Sequence, residues 1–309
     1  VEYTFPPLFR ALPRLFALGI GLRILHRLVA RSSVRDYLRA IVRPGWIALW
    51  LRCWLATMLL IYTYCWLKIS IPLLTDRLYD PHLWRLDRFL HLGFSPSIFA
   101  VELAAGTPVA RWLDVWYALW APTLAIFVGF FYALSHRAAR RNFALAVVLL
   151  WTIGAWIYLA LPVLGPCYAA PDLFAPIRRD LPYALTMQRT LWEHYLMMVH
   201  GRAGALSSFQ PEYGVAALPS LHVGAHALFF FWARRHERWL VVPAAVATAL
   251  TLVASVVTGW HYAVDGYAGI ALAWGVVALA DRWDPVEMPM ALAMGDPGAT
   301  VPPVEAASA

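Results

Sequence analysis

Long apolar stretches, broken by short segments that carry arginines, organise this chain. A helix needs about 20 mostly apolar residues to cross a bilayer. Six segments approach that pattern: 46–67, 115–134, 143–164, 218–233, 239–258 and 263–280. The fourth is short, the sixth carries Asp265, and Arg52 sits near one end of the first, where it can snorkel. Residues 1–43 interleave apolar positions with arginines and read as an amphipathic segment lying on the membrane. A second interfacial helix is predicted over 76–96, because Leu83, Leu86, Phe89 and Leu90 share one face. The connection 165–215 is long for a compact protein, which marks it as functional or disordered, and it contains an amphipathic stretch at 186–199. The tail 284–309, rich in proline and small residues, reads as disordered. The expected fold class is all-α: a polytopic membrane protein of six transmembrane helices with additional interfacial amphipathic helices. The N-terminal segment 1–43, the membrane domain 44–283 and the tail 284–309 divide it.

Composition agrees with that class. Of 309 residues, 61% are hydrophobic and 14% charged, against about 25% charged in soluble domains. The 16 Trp and 14 Tyr suit membrane interfaces. A net charge of +7 comes with arginines clustered in short connections, so it points to topology and anionic headgroups rather than to nucleic acid. Cys53, Cys65 and Cys167 form no metal-ligand spacing, and the first two read as packing residues. No cleavable signal peptide is evident. Threading six spans with the N-terminus in the cytoplasm puts Arg137, Arg140, Arg141, Arg234, Arg235 and Arg238 on the cytoplasmic side. Both termini then face the cytoplasm, and the long connection, His222 and His261 face away from it. The Ala- and Arg-rich composition suggests a bacterial inner membrane.

Two polar stretches stand out against this apolar background. In "PSLH", 219–222, Pro219 suits the first turn of a helix. The free amides of that turn attract an anion, Ser220 adds a hydroxyl, and His222 lies within reach to move a proton. In "GWHYAVDGYAG", 259–269, His261 and Asp265 are four residues apart and share a helical face. A carboxylate there can hold one imidazole nitrogen and leave the other free to attack. Glycines 259, 266 and 269 allow close backbone approach. Alone, the first stretch also fits a simple helix cap and the second a structural His–Asp pair. Together they suit phosphoryl transfer: one histidine attacks phosphorus, the other protonates the leaving oxygen, and N–H groups and cations meet the equatorial charge.

"PSLH" followed by "HYAVD" resembles the type 2 phosphatidic acid phosphatase superfamily, and most nearly the branch that contains inositol phosphorylceramide synthase. That branch also has Leu between the Ser and the His. "YLALPVLGP", 158–166, and "LDRFLHLGFSP", 86–96, are similar to elements of the same branch. The resemblance implies a six-helix core, His261 as nucleophile, Asp265 as its orienting partner and His222 as general acid, without metal or other cofactor. It departs from the phosphatase branch in two places. No upstream Lys…Arg-Pro element is present, and Ser255-Val256 stands where that branch has Ser-Arg.

The phosphate therefore needs another cation. Arg178, Arg179, Arg189 and Arg202 of the long connection are the candidates, with Ser220 and Tyr262 as further substrate contacts. His226, one turn below His222, reads as a packed core histidine; His194 and His200 have no partner pattern. The leading functional expectation is a lipid phosphotransferase. It would move a phosphorylated head group from a phospholipid or polyprenyl-type donor to a hydroxyl-bearing lipid. A lipid phosphate or diphosphate phosphatase, with water as acceptor, is the alternative. A membrane scaffold on the same fold is the non-enzymatic one, and it leaves His222, His261 and Asp265 without a purpose.

Overall fold

The computed structural model describes residues 5–30, 34–134, 136–201 and 213–283; the predicted tail 284–309 and Arg202 lie outside them. Every described element is helical. In chain order they are α1 (Phe5–Val29), α2 (Val34–Ile41), α3 (Pro44–Leu74), α4 (Asp80–Leu90), α5 (Pro96–Ala104), α6 (Val109–Ala118), α7 (Trp120–Tyr132) and α8 (Arg137–Ala160). There follow the short α9 (Pro166–Ala169), a 3-10 helix (Pro171–Asp180), α10 (Pro182–Val199), α11 (Leu221–His236), α12 (Val241–Val257) and α13 (Ala263–Trp283).

Four helical segments are long and apolar enough to cross a membrane: Pro44–Leu74, Arg137–Ala160, Arg238–Val257 and Ala263–Trp283. The pair α6 and α7, bent by 48° at Leu119, makes a fifth if it counts as one broken span. Pro122 explains the bend, since it lacks an N–H and its ring crowds the carbonyl one turn back. The count of six predicted from the sequence is not reached by length, because α11 has only 16 residues. It is instead the central helix, flanked by α8, α12 and α13 and buried along most of its length.

α4 is shorter than the helix read over 76–96. Its inward side carries Asp80, Leu83 and Asp87, all buried, while Leu86, Phe89 and Leu90 point outward. Leu86, Phe89 and Leu90 thus face the surroundings, as an interfacial helix requires, whereas Leu83 of the predicted face turns inward with two carboxylates. The N-terminal stretch forms α1 and α2, and α1 packs along α7. In the long connection, α10 lies across α3 and α6.

The helices alternate in direction. One end of the bundle gathers Lys68, the 161–165 turn, the start of α11 and the turn before α13. Cross-links between backbones fix this end: Ala217 N–H donates to Val163 O at 2.8 Å and Cys167 N–H to Gly259 O at 2.8 Å.

Candidate active site

His222 and His261 sit on different helices, and glycine brings those helices together. A Cβ on Gly269 of α13 would lie 2.3 Å from Ser220 O, so no larger residue permits this crossing with α11. Ser220 N–H donates to the backbone carbonyl of Asp265 at 2.8 Å, which ties the start of α11 to the first turn of α13. Ser220 is the N-cap of α11, and its hydroxyl accepts from Val223 N–H at 3.4 Å. The helix therefore begins at Leu221 rather than at Pro219 as predicted, because a serine hydroxyl satisfies the first turn better than a proline one residue earlier. The Leu218–Pro219 peptide is cis. Leu221, the residue between Ser220 and His222, fits against Gly154 of α8, where an added Cβ would collide with it.

His261 occupies the turn between α12 and α13. Gly259, at φ +79°, ends α12 in the left-handed conformation that closes many helices. The Ser255 carbonyl then accepts from both Trp260 N–H (3.0 Å) and His261 N–H (3.2 Å). Asp265, fully buried, places Oδ2 3.5 Å from His261 Nδ1. The same oxygen accepts from Tyr262 N–H at 2.9 Å. That carboxylate faces Nδ1 and leaves Nε2 as the ring's free nitrogen. His222 is held at its own Nδ1, which shares a 2.6 Å hydrogen bond with the Tyr117 hydroxyl. The Trp120 ring lies 4.2 Å from the His222 ring. The two imidazoles stand 6.0 Å apart, centroid to centroid, at 77°.

Both imidazoles line the head of a cavity of about 220 Å³. Lys68, Tyr64 and Tyr117 share that head with them, Ala184, Met187 and Leu191 of α10 roof it, and its deeper walls are apolar. The Lys68 ammonium lies 5.8 Å from the ring centroids of Tyr64 and Tyr158 and, among the described residues, makes no ion pair. Arg178, Arg179 and Arg189 are exposed and do not line the cavity; Arg178 donates instead to Pro171 O at 3.1 Å. Tyr262 does not line it either. Its hydroxyl donates to Asp80 Oδ1 at 3.2 Å, and burial raises the phenol above its usual range. His226 rests beneath the site with Nδ1 on the His222 carbonyl at 2.8 Å, and His194 likewise binds Thr190 O at 2.8 Å.

Residues 81–279 match the PAP2 superfamily, a span that covers more than half of the chain and includes both histidines and Asp265. The chain belongs to the PAP2 superfamily. Membership points to a phosphatase or phosphotransferase acting on lipid substrates. No curated protein and no solved structure matches the chain.

This PAP2 protein also uses residues that the motifs did not reveal. Asp80 accepts from Leu164 N–H (3.0 Å) and Gly165 N–H (2.9 Å). Asp87 accepts from Val264 N–H (2.9 Å) and Ala263 N–H (3.3 Å), and so caps α13 next to His261. Asp114 accepts from Tyr183 N–H (2.9 Å) and Ala184 N–H (2.8 Å), which caps the roof helix α10. Burial pushes the Asp80 and Asp87 carboxyls above their usual range, and the amide donors partly offset it. A signal for the first two existed: Asp80, Leu83 and Asp87 recur at helical spacing, the pattern of a buried face. For Lys68 the signal was sharper, since it is the only lysine in an otherwise arginine-using chain.

Proposed function

We propose that this protein is a lipid phosphotransferase working through a phosphohistidine on His261. The observation that carries the reading is the pair of imidazoles, His222 held at Nδ1 by Tyr117 and His261 turned with Nδ1 toward Asp265, 6.0 Å apart at the polar head of an otherwise apolar cavity. Such spacing lets both rings reach one phosphoryl group.

In the proposed reaction, His261 Nε2 attacks the phosphorus of a phospholipid donor. The bond from phosphorus to the lipid oxygen breaks, and His222 Nε2–H gives that oxygen its proton, so the donor leaves as an alcohol. Asp265, across from His261 Nδ1, holds the tautomer and balances the charge that the ring acquires. Tyr117 does the same orienting work for His222. Lys68 meets the negative charge on the phosphoryl oxygens, in the role first assigned to the loop arginines. A hydroxyl-bearing lipid then attacks the phosphohistidine, His222 takes its proton, and His261 is released.

The apolar roof from α10 favours a lipid hydroxyl over water as the acceptor. Leu221 in "PSLH" supports a transferase of the kind that the inositol phosphorylceramide synthase resemblance implies, with a polar phosphorylated head group as the transferred unit. Hydrolysis by water shares the same intermediate. By the arginine distribution, the site faces away from the cytoplasm of a bacterial inner membrane.

Purified protein in lipid nanodiscs, given phospholipid labelled at the phosphate, should acquire a label that is stable to alkali and lost in acid. His261→Ala should carry none. A label that persists in His261→Ala, or a wild-type protein that never acquires one, would overturn the reading. Release of the label in a water-soluble product, the phosphorylated head group or inorganic phosphate where the donor carries none, instead of in a lipid would make water the acceptor.

A further inference from the structure

The cavity does not end at the histidines. It descends between α3, α7, α8 and α11, and its floor is formed by Thr57, Val128, Phe229 and Phe16. Phe16 belongs to α1, which precedes the residues matched to the superfamily. At 1.5 Å per residue, the drop from His222 to Phe229 along α11 is about 10 Å, and from Lys68 to Thr57 along α3 about 16 Å. That depth is close to half of a hydrocarbon core about 30 Å thick, or one leaflet.

The seat of α1 is built for contact. A Cβ on Gly129 of α7 would lie 2.5 Å from Phe16 O, and one on Gly19 of α1 would lie 2.3 Å from Ile126 O. Two glycines thus let the backbones touch, and Phe16 is buried at 4% exposure where they cross. Farther along α1, Arg23 is buried in an ion pair with Glu237, which fixes the helix lengthwise. A side chain held this firmly where α1 meets an apolar slot can act as a stop.

We infer that the slot takes one acyl or prenyl chain of the lipid whose phosphate sits at the histidines, and that Phe16 sets the chain length accepted. The inference rests on the proposed phosphoryl chemistry for the position of the head group, and on the cavity alone for the tail. An apolar chain there would replace an empty apolar space with dispersion contacts, and its polar end would meet Lys68 and the two imidazoles.

Two measurements on the full chain in nanodiscs test it. The first is photo-crosslinking by a phosphatidate with a diazirine at the tail end. It should label the peptides of Phe16, Val128 and Phe229, and labelling confined to outward faces of the bundle would overturn the slot. The second is turnover of phosphatidates of increasing chain length. Phe16→Ala should shift preference toward longer chains and Phe16→Trp toward shorter ones, each by roughly tenfold in relative kcat/KM. An unchanged profile in both variants would overturn the stop. Crosslinking at Phe16 with no turnover in the wild type would keep the slot and sink the phosphoryl chemistry. Turnover with tails labelled elsewhere would do the reverse.

Discussion

The two ends of the helical bundle use their carboxylates differently. At the histidine end, Asp80, Asp87 and Asp114 each accept from two backbone N–H groups of another segment. At the opposite end, Glu237 pairs with Arg23, and Asp281 Oδ2 lies 2.7 Å from Arg235. Arg140, there too, lies over the Trp46 ring at 4.6 Å and donates to Leu134 O. Backbone donors are fixed in the chain, so a carboxylate that binds them fixes a turn. Arginine is a long side chain, so where the pair reaches water, as Arg235 and Asp281 do, the carboxylate fixes little beyond that pair, whereas the buried Glu237 ties one helix, α1, to the end of another. The first arrangement suits an end where two imidazoles must hold a set distance. It has a second consequence: with these three carboxylates on neutral amides and Asp265 turned to His261, Lys68 at the cavity head has no ion-pair partner among the described residues.

Removing that cation tests the comparison most strongly. Lys68→Met should lower turnover by about 10²–10³-fold, the scale of losing one donor to developing charge, with little change in thermal stability. Lys68→Arg should restore part of the activity, since the charge returns but the shape does not. Full activity in Lys68→Met would return the phosphate to some other cation and break the contrast between the ends.

The next effect is on folding. Asp87→Ala would leave the Ala263 and Val264 N–H groups at the head of α13 without their acceptor. Each buried unsatisfied group costs about 1–3 kcal/mol. The variant should unfold at lower temperature in detergent, and its residual activity should fall because His261 and Asp265 lose their support. If stability is unchanged while activity falls, Asp87 acts on chemistry rather than on the turn.

Much of this was legible in the sequence, and the reason is periodicity and spacing. Long apolar runs announced the spanning segments, and the spacing of His261 and Asp265 announced their meeting. The "PSLH" stretch placed His222 opposite them. What could not be read was every contact between distant segments. Asp87 looks like a surface residue of an amphipathic helix until α13 arrives beside it, 177 residues later in the chain. Leu86, Phe89 and Leu90 turn outward as an interfacial helix should, but Leu83, read as part of the same face, is buried beside Asp80 and Asp87. The loop arginines were favoured as phosphate ligands because they are charged and close in sequence to the site. Yet a lone lysine inside an apolar helix carries the stronger signal, since burying it is costly without a purpose.

The smallest effect belongs to the opposite end. Arg235 and Asp281 are each about one-third exposed, and both side chains reach water. Such a pair gains little in high dielectric and gives up side-chain freedom to form, so its net worth is about 0–1 kcal/mol. Arg235→Ala should therefore shift the unfolding temperature barely at all and leave lipid turnover unchanged, and raising the salt concentration should erase what shift there is. The arginine does have a second property, its charge beside the headgroups, and this is read separately by the orientation of the chain in vesicles. A loss of stability from Arg235→Ala comparable to that of Asp87→Ala would show that ion pairs at this end hold the bundle as firmly as amide-bound carboxylates hold the other. The distinction between the two ends would then fail.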